Sequence, residues 1–262
     1  MLKTLLVVVL SAVISMSCAT SPLGRQQLVI FSEAQMDAMG LEAFQGIKAE
    51  EPIEQDRHIN AYVDCVANAI TQEMGGNWEV VVFKDDAPNA FALPGRKIGV
   101  HRGLLTVAEN QDQLAAVLGH EVAHVLSHHS NERVSQQFAV HTGLSVASAV
   151  ANPHSASGEA LMGALGVGAQ YGILLPYSRV HESEADLYGL DLMAEAGFDP
   201  QESVNLWVNM SEAGGGQPPE FLSTHPSHGT RIHDLEARMP DAIQLRDAAR
   251  AQGKNPQCEQ QQ

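Results

Sequence analysis

Apolar residues recur at helical spacing through most of this chain and follow strand-like patterns in only one region. In "RHINAYVDCVANAITQEMGG", Ile59, Tyr62, Val63, Val66 and Ile70 fall on one stripe that stops before Gly75 and Gly76, so a helix with one buried face is expected. "SEAQMDAMGLEAFQGI" opens on Ser32 with Gln35 three residues on, the signature of a reciprocal capping box. "WEVVVFK", Trp78 to Lys84, is β-branched and aromatic, and "NAFALPGRKIGV" reads as two further strands bent at Pro94 and Gly95. The helical period then returns in "NQDQLAAVLGHEVAHVLSHH", with Asn110 as N-cap and Leu114, Val117, Leu118, Val122 and Val125 inward. The pattern predicts an α+β domain, mainly helical with a small mixed sheet.

That last helix carries unusual chemistry. His120 and His124 are four residues apart, about 40° round a helix, so both imidazoles can address one atom, and Glu121 lies beside them. Burying these groups among aliphatic neighbours without a partner would be costly, and a metal ion removes the cost. Catalytic zinc takes three protein ligands and keeps one position open, so a third ligand is required elsewhere. Ser127 and Ser130 occupy the positions where a metzincin would carry glycine and a third histidine. "SRVHESEADLYGLDLMAEAG" offers Glu182, with Asp186 one turn on to orient a ligand histidine. Glu184 is the rival ligand, about 200° round the same helix.

The 262 residues suffice for one sizeable core, and 15 basic against 31 acidic residues give a net charge of −16. Such a surface repels nucleic acid and favours polypeptide partners. The first 17 residues, with Lys3 ahead of an apolar run, have the layout of a signal peptide. "ISMSC" resembles a bacterial lipobox, which makes Cys18 the lipidated mature N-terminus; cleavage after Ala19 by ordinary signal peptidase is the other reading. Lipidation of Cys18 leaves Cys65 and Cys258 to form a disulfide in an oxidising compartment, the alternative being two buried thiols. The expected organisation is a signal peptide over 1–17, a linker over 18–30, the domain over 31–250 and a polar tail over 251–262. The apolar segment 138–176 reads as a cover over the site, a membrane contact or simply buried helices. "GGGQPP", Gly214 to Pro219, reads as a break.

"HEVAHVLSHHSNER", "SRVHESEAD", "PNAFALPGRKIGVHRGLL" and "LSTHPSHGTRI" together resemble the HtpX-like, CAAX prenyl-protease type 1 family of gluzincin metallopeptidases, over roughly Phe31 to Met239. The resemblance implies a zincin-like domain binding one Zn2+ through His120, His124 and Glu182, with Glu121 as general base and Asp186 as orienting carboxylate. It also implies the secreted bacterial branch: a periplasmic protease, anchored at the outer membrane through Cys18, acting on misfolded or unassembled envelope polypeptides. A chaperone or assembly factor with weak or gated hydrolysis is the alternative. Arg96 departs from the pattern, standing where the family often has a second glycine. "RKIGV" is a candidate edge strand for an extended substrate. In "STHPSHGTRI", His225 precedes Pro226 and is expected in a loop, as an oxyanion donor, as a fourth zinc ligand that holds the enzyme off, or as a structural group. Arg231 is the rival oxyanion donor, or a brace for a site carboxylate.

Overall fold

The computed structural model describes residues 18–72, 74–151, 177–213, 220–225 and 230–259. The expected leader, the 152–176 part of the apolar segment and the Gly214–Pro219 break lie outside the described residues.

Helix α1 (Glu33–Glu50) starts at Ser32, whose side chain accepts from the Gln35 N–H while the Gln35 side chain accepts from the Ser32 N–H. Asp56 caps α2 (Arg57–Thr71), which buries Tyr62, Val63, Val66 and Ile70. Strands β3 (Glu79–Phe83), β4 (Ala90–Leu93) and β5 (Lys97–His101) form a sheet in the order β3-β5-β4, with β3 parallel and β4 antiparallel to β5. β5 is therefore central, and both its ladders are taken. This corrects the expectation that "RKIGV" is an edge: Ile98, Gly99 and Val100 are buried, as suits a strand flanked on both sides. β3 and β4 are the two outer strands of this sheet. Gly95 at φ 79 and Arg96 at φ 60 make the turn between β4 and β5, so Arg96 takes the left-handed backbone that the hairpin needs and the register is kept.

The main core is built from α2, the sheet, α3 (Gln111–Leu126), α5 (Arg179–Glu195), α6 (Glu202–Ala213) and α8 (Arg231–Ala251), with Val66, Ile98, Leu118, Met193, Leu206 and Leu235 among its buried residues. A smaller cluster, including Met36, Phe44, Phe83 and Leu93, joins α1 to the sheet. α3 and α5 touch backbone to backbone. A Cβ on Gly119 would stand 2.7 Å from the Gly189 carbonyl oxygen, and one on Gly189 2.7 Å from the His120 nitrogen. Only glycine at both positions permits that approach.

Residues 18–30, read as a linker, instead form an antiparallel hairpin of β1 (Cys18–Thr20) and β2 (Gln26–Leu28) that packs by side-chain contacts onto the end of α3 and the start of α4 (His129–Ala151). The polar tail is also seated. Cys258 is disulfide-bonded to Cys65 on α2, and Gln111 holds the tail on both sides, accepting from the Cys258 N–H and donating to the Pro256 carbonyl. Among the described residues no helix is long and apolar enough to cross a membrane.

Candidate metal centre

α3 and α5 cross where Gly119 meets Gly189, and that crossing brings the chemistry of both helices to one point. His120, His124, Glu182 and His225 each turn a ligand atom to a common centre, all within 4.8 Å of one another and all buried. His120 Nε2 lies 3.0 Å from His124 Nε2 and 3.5 Å from Glu182 Oε2, and His124 Nε2 lies 3.4 Å from Glu182 Oε1. His225 follows the short helix α7 (Glu220–Thr224), with its ring stacked on Phe221 and its Nδ1 3.2 Å from both His120 Nε2 and Glu182 Oε1.

Glu121 sits at the rim of this cluster. Its Oε2 accepts from the Ala92 N–H of β4 at 3.0 Å, and its Oε1 faces His225 Nε2 at 3.3 Å. Burial pushes its carboxyl above the ordinary range, against the pull of His225 and His120, which suits a group that must take up a proton near neutrality.

Behind the ligands, Asp186 Oδ1 lies 3.0 Å from His120 Nδ1. Arg231, the first residue of α8, donates from Nε to Asp186 at 2.6 Å and from Nη2 to Glu182 at 2.7 Å, its guanidinium lying over Trp207. Two of its three nitrogens are thus committed to carboxylates, the bracing arrangement rather than that of a free oxyanion donor. Tyr177 stacks on His124 at 3.8 Å between ring centres.

Glu184 points to the other side of α5. Its Oε2 lies 3.1 Å from His129 Nε2 and accepts from Arg25 at 2.8 Å. Burial would raise its pKa, but His129, Ser21 and Arg25 bring it down to about 2. His129 is driven down to about 4 by burial, against its hydrogen bond to the Glu184 carboxylate. Arg25, Glu132, His129 and Tyr177 were not singled out from the sequence as site residues; the adjacent histidines of "SHHSNER" were the available signal.

The donor set fits a divalent cation. Two imidazole Nε2 atoms and a carboxylate aim their lone pairs at one point, an arrangement that is repulsive unless positive charge stands there. In keeping with that, burial favours a neutral His120, yet Asp186 and Glu182 draw it up to about 9, and three histidines hold Glu182 far below the carboxylate range despite its burial. Imidazole nitrogen with carboxylate oxygen in a four-ligand cluster suits zinc.

Sequence comparison gives the same reading. Relatives include the mitochondrial metalloendopeptidase OMA1 of Schizosaccharomyces pombe, 40% identical over 174 residues, covering 66% of this chain and 50% of that protein. The human mitochondrial metalloendopeptidase OMA1 is 31% identical over 239 residues, 86% of this chain and 45% of its own. The beta-barrel assembly-enhancing protease of Yersinia pestis is 28% identical over 210 residues, 77% of this chain and 43% of its own. The chain spans about half the length of these relatives. The profile of peptidase family M48 matches residues 53–239, which takes in α3, α5, His225 and Arg231, and the chain belongs to that family.

Proposed function

We propose that this protein is a zinc-dependent endopeptidase that degrades misfolded or unassembled cell-envelope proteins, held at the outer membrane on its periplasmic side by lipid on Cys18. The observation that carries the enzymatic part is the placement of a buried carboxylate, Glu121, beside three convergent ligand groups, His120, His124 and Glu182. The signal-like N-terminus and the name of the Yersinia relative support the envelope as the setting.

When bound, zinc supplies Lewis acidity toward a peptide carbonyl and toward the attacking water. The chain supplies the rest. Glu121 takes the proton of the water at its carboxylate and returns it to the leaving amine, a role for which its raised pKa is suited. Asp186 fixes the tautomer of His120, and Arg231 keeps Asp186 and Glu182 in place. β4 is an edge strand whose Ala92 N–H is turned to Glu121. An extended peptide adding there by main-chain bonds would run past the base without much demand on its sequence.

A second reading, an assembly factor with gated hydrolysis, is favoured by the position of His225. Its Nδ1 stands in the ligand cluster and its Nε2 faces Glu121, so this side chain covers both the fourth ligand position and the base.

The test is incubation of the purified protein and its Glu121→Gln variant with an unfolded protein, with and without chelator, alongside metal analysis. Chelator-sensitive cleavage by the wild type is expected, with Glu121→Gln inactive but zinc-loaded and Glu182→Ala free of zinc. Wild-type protein that carries zinc but cleaves nothing would favour the second reading. Full zinc in Glu182→Ala, with loss in Glu184→Ala, would move the third ligand.

A further inference from the structure

The far side of His124 is joined to the β1-β2 hairpin by a continuous row of polar groups. His124 Nδ1 lies 2.9 Å from His129 Nδ1, and His129 Nε2 lies 3.1 Å from Glu184 Oε2. Metal binding through His124 Nε2 leaves that ring's proton on Nδ1, where it must be donated. His129 Nδ1 then accepts, its own proton sits on Nε2, and Glu184 accepts that one. A single proton arrangement satisfies every atom of the row.

The row ends on Arg25. Its Nε donates to Glu184 at 2.8 Å, and its Nη1 and Nη2 donate to the two oxygens of Glu132 at 2.8 and 2.7 Å. One guanidinium therefore fixes a carboxylate from α5 and another from α4. Gln27 adds a bond from Nε2 to the Ser127 carbonyl at 2.6 Å, at the C-cap of α3. Ile30 donates to Ser135, and the Phe31 carbonyl accepts from Asn131. The β1-β2 hairpin is thus fastened to the junction between the helix that carries His124 and the helix that carries His129.

We propose that the N-terminal hairpin is a working part of the metal centre, in which Arg25 is a positioning residue that sets the orientation and tautomer of His124 through Glu184 and His129. His120 receives its carboxylate partner directly from Asp186, whereas His124 receives Glu184 at a remove, through the His129 imidazole, and the Arg25 that holds Glu184 lies outside the residues matched by the family profile. Lysine cannot replace Arg25, because a point charge cannot serve two carboxylates with fixed fork geometry. The inference rests on the metallopeptidase reading in one respect, that His124 binds the metal.

The experiment compares the full chain with Arg25→Ala, Arg25→Lys and Glu184→Gln. Zinc affinity is measured by competition with a chromophoric chelator, and ligand geometry from the visible spectrum of the cobalt-substituted protein. Arg25→Ala is expected to weaken zinc binding about 10-fold or more, to change the cobalt spectrum, and to recover on addition of millimolar guanidinium. Arg25→Lys should stay weakened, and Glu184→Gln should match Arg25→Ala. Wild-type affinity and spectrum in folded Arg25→Ala, or in Glu184→Gln if Arg25→Ala does not fold, would overturn the proposal while leaving the zinc site standing. Failure of the wild type itself to bind zinc would overturn both.

Discussion

His225 and Glu121 face each other across the metal centre, Nε2 to Oε1 at 3.3 Å. The histidine thereby stands against the carboxylate proposed to take a proton from water, while its other nitrogen joins the ligand cluster. We propose that His225 acts there as a latch; an oxyanion donor would instead have to face a substrate carbonyl. His225→Ala is expected to raise cleavage of an unfolded protein about tenfold or more with zinc content unchanged. A fall of about 10²-fold would assign it to oxyanion stabilisation, and unchanged activity in folded protein would leave it structural.

Gly119 and Gly189 allow the helices that carry the ligands to touch. Gly189→Ala places a methyl group 2.7 Å from backbone of the neighbouring helix, and backbone cannot swing aside as a side chain can. The variant is expected to lose about 1–3 kcal/mol of stability and to bind zinc more weakly, since the distance from His120 to Glu182 must grow. Chemical denaturation together with zinc titration checks this; a stable variant with weakened zinc would still fit, whereas wild-type values for both would not.

The bond between Cys65 and Cys258 closes a loop with a sequence separation of 193. In the chain-entropy model a loop of that size stabilises by about 5 kcal/mol. Reduction, or Cys258→Ser, is expected to lower the melting temperature and to make the tail beyond α8 the first site of proteolysis, because its covalent tie to α2 is gone and hydrogen bonds such as those of Gln111 and Lys254 must hold it. Limited proteolysis followed by mass spectrometry reads the cut site.

Acid should act on the brace around Glu184. Its pKa is about 2 in the fold against an ordinary 4.5, so the unfolded chain binds the proton more readily. The contribution is complete above pH 4.5 and is lost as pH falls toward 2. Glu132, also held low against its burial by His181, Arg25 and Gln27, adds in the same direction. Glu184→Gln should be less stable than wild type at pH 6, and the difference should shrink toward pH 2. A difference constant with pH would mean that the charge of Glu184 contributes nothing.

Much of the arrangement was legible in the sequence because it depends on local periodicity. His120, Glu121 and His124 share one helix face, Glu182 and Asp186 share another, and a 3.6-residue repeat is enough to say so. The structure puts Glu182 in the cluster and turns Glu184 away. Choosing among strands was different. The strand-like character of "RKIGV" was legible, but its central place follows from the pairing of Lys97–His101 with Glu79–Phe83, a contact that no local pattern encodes. Residues 18–30 looked like a linker since they are short of apolar periodicity; their order comes from Arg25 and Gln27 meeting groups a hundred or more residues away. The helix crossing was missed for a related reason: a lone glycine inside a helix reads as a weak point until its partner helix is known.

The pairing of Cys18 with Leu28 means that the hairpin begins at the residue proposed to carry lipid. An acyl chain there would be a leash without slack. Arg25 is seven residues along, a span of roughly 25 Å if fully extended, and the hairpin folds that span back on itself. The catalytic groups would then work at a fixed height over the bilayer, and polypeptides would be cut according to how far they stand off the membrane as well as whether they are unfolded.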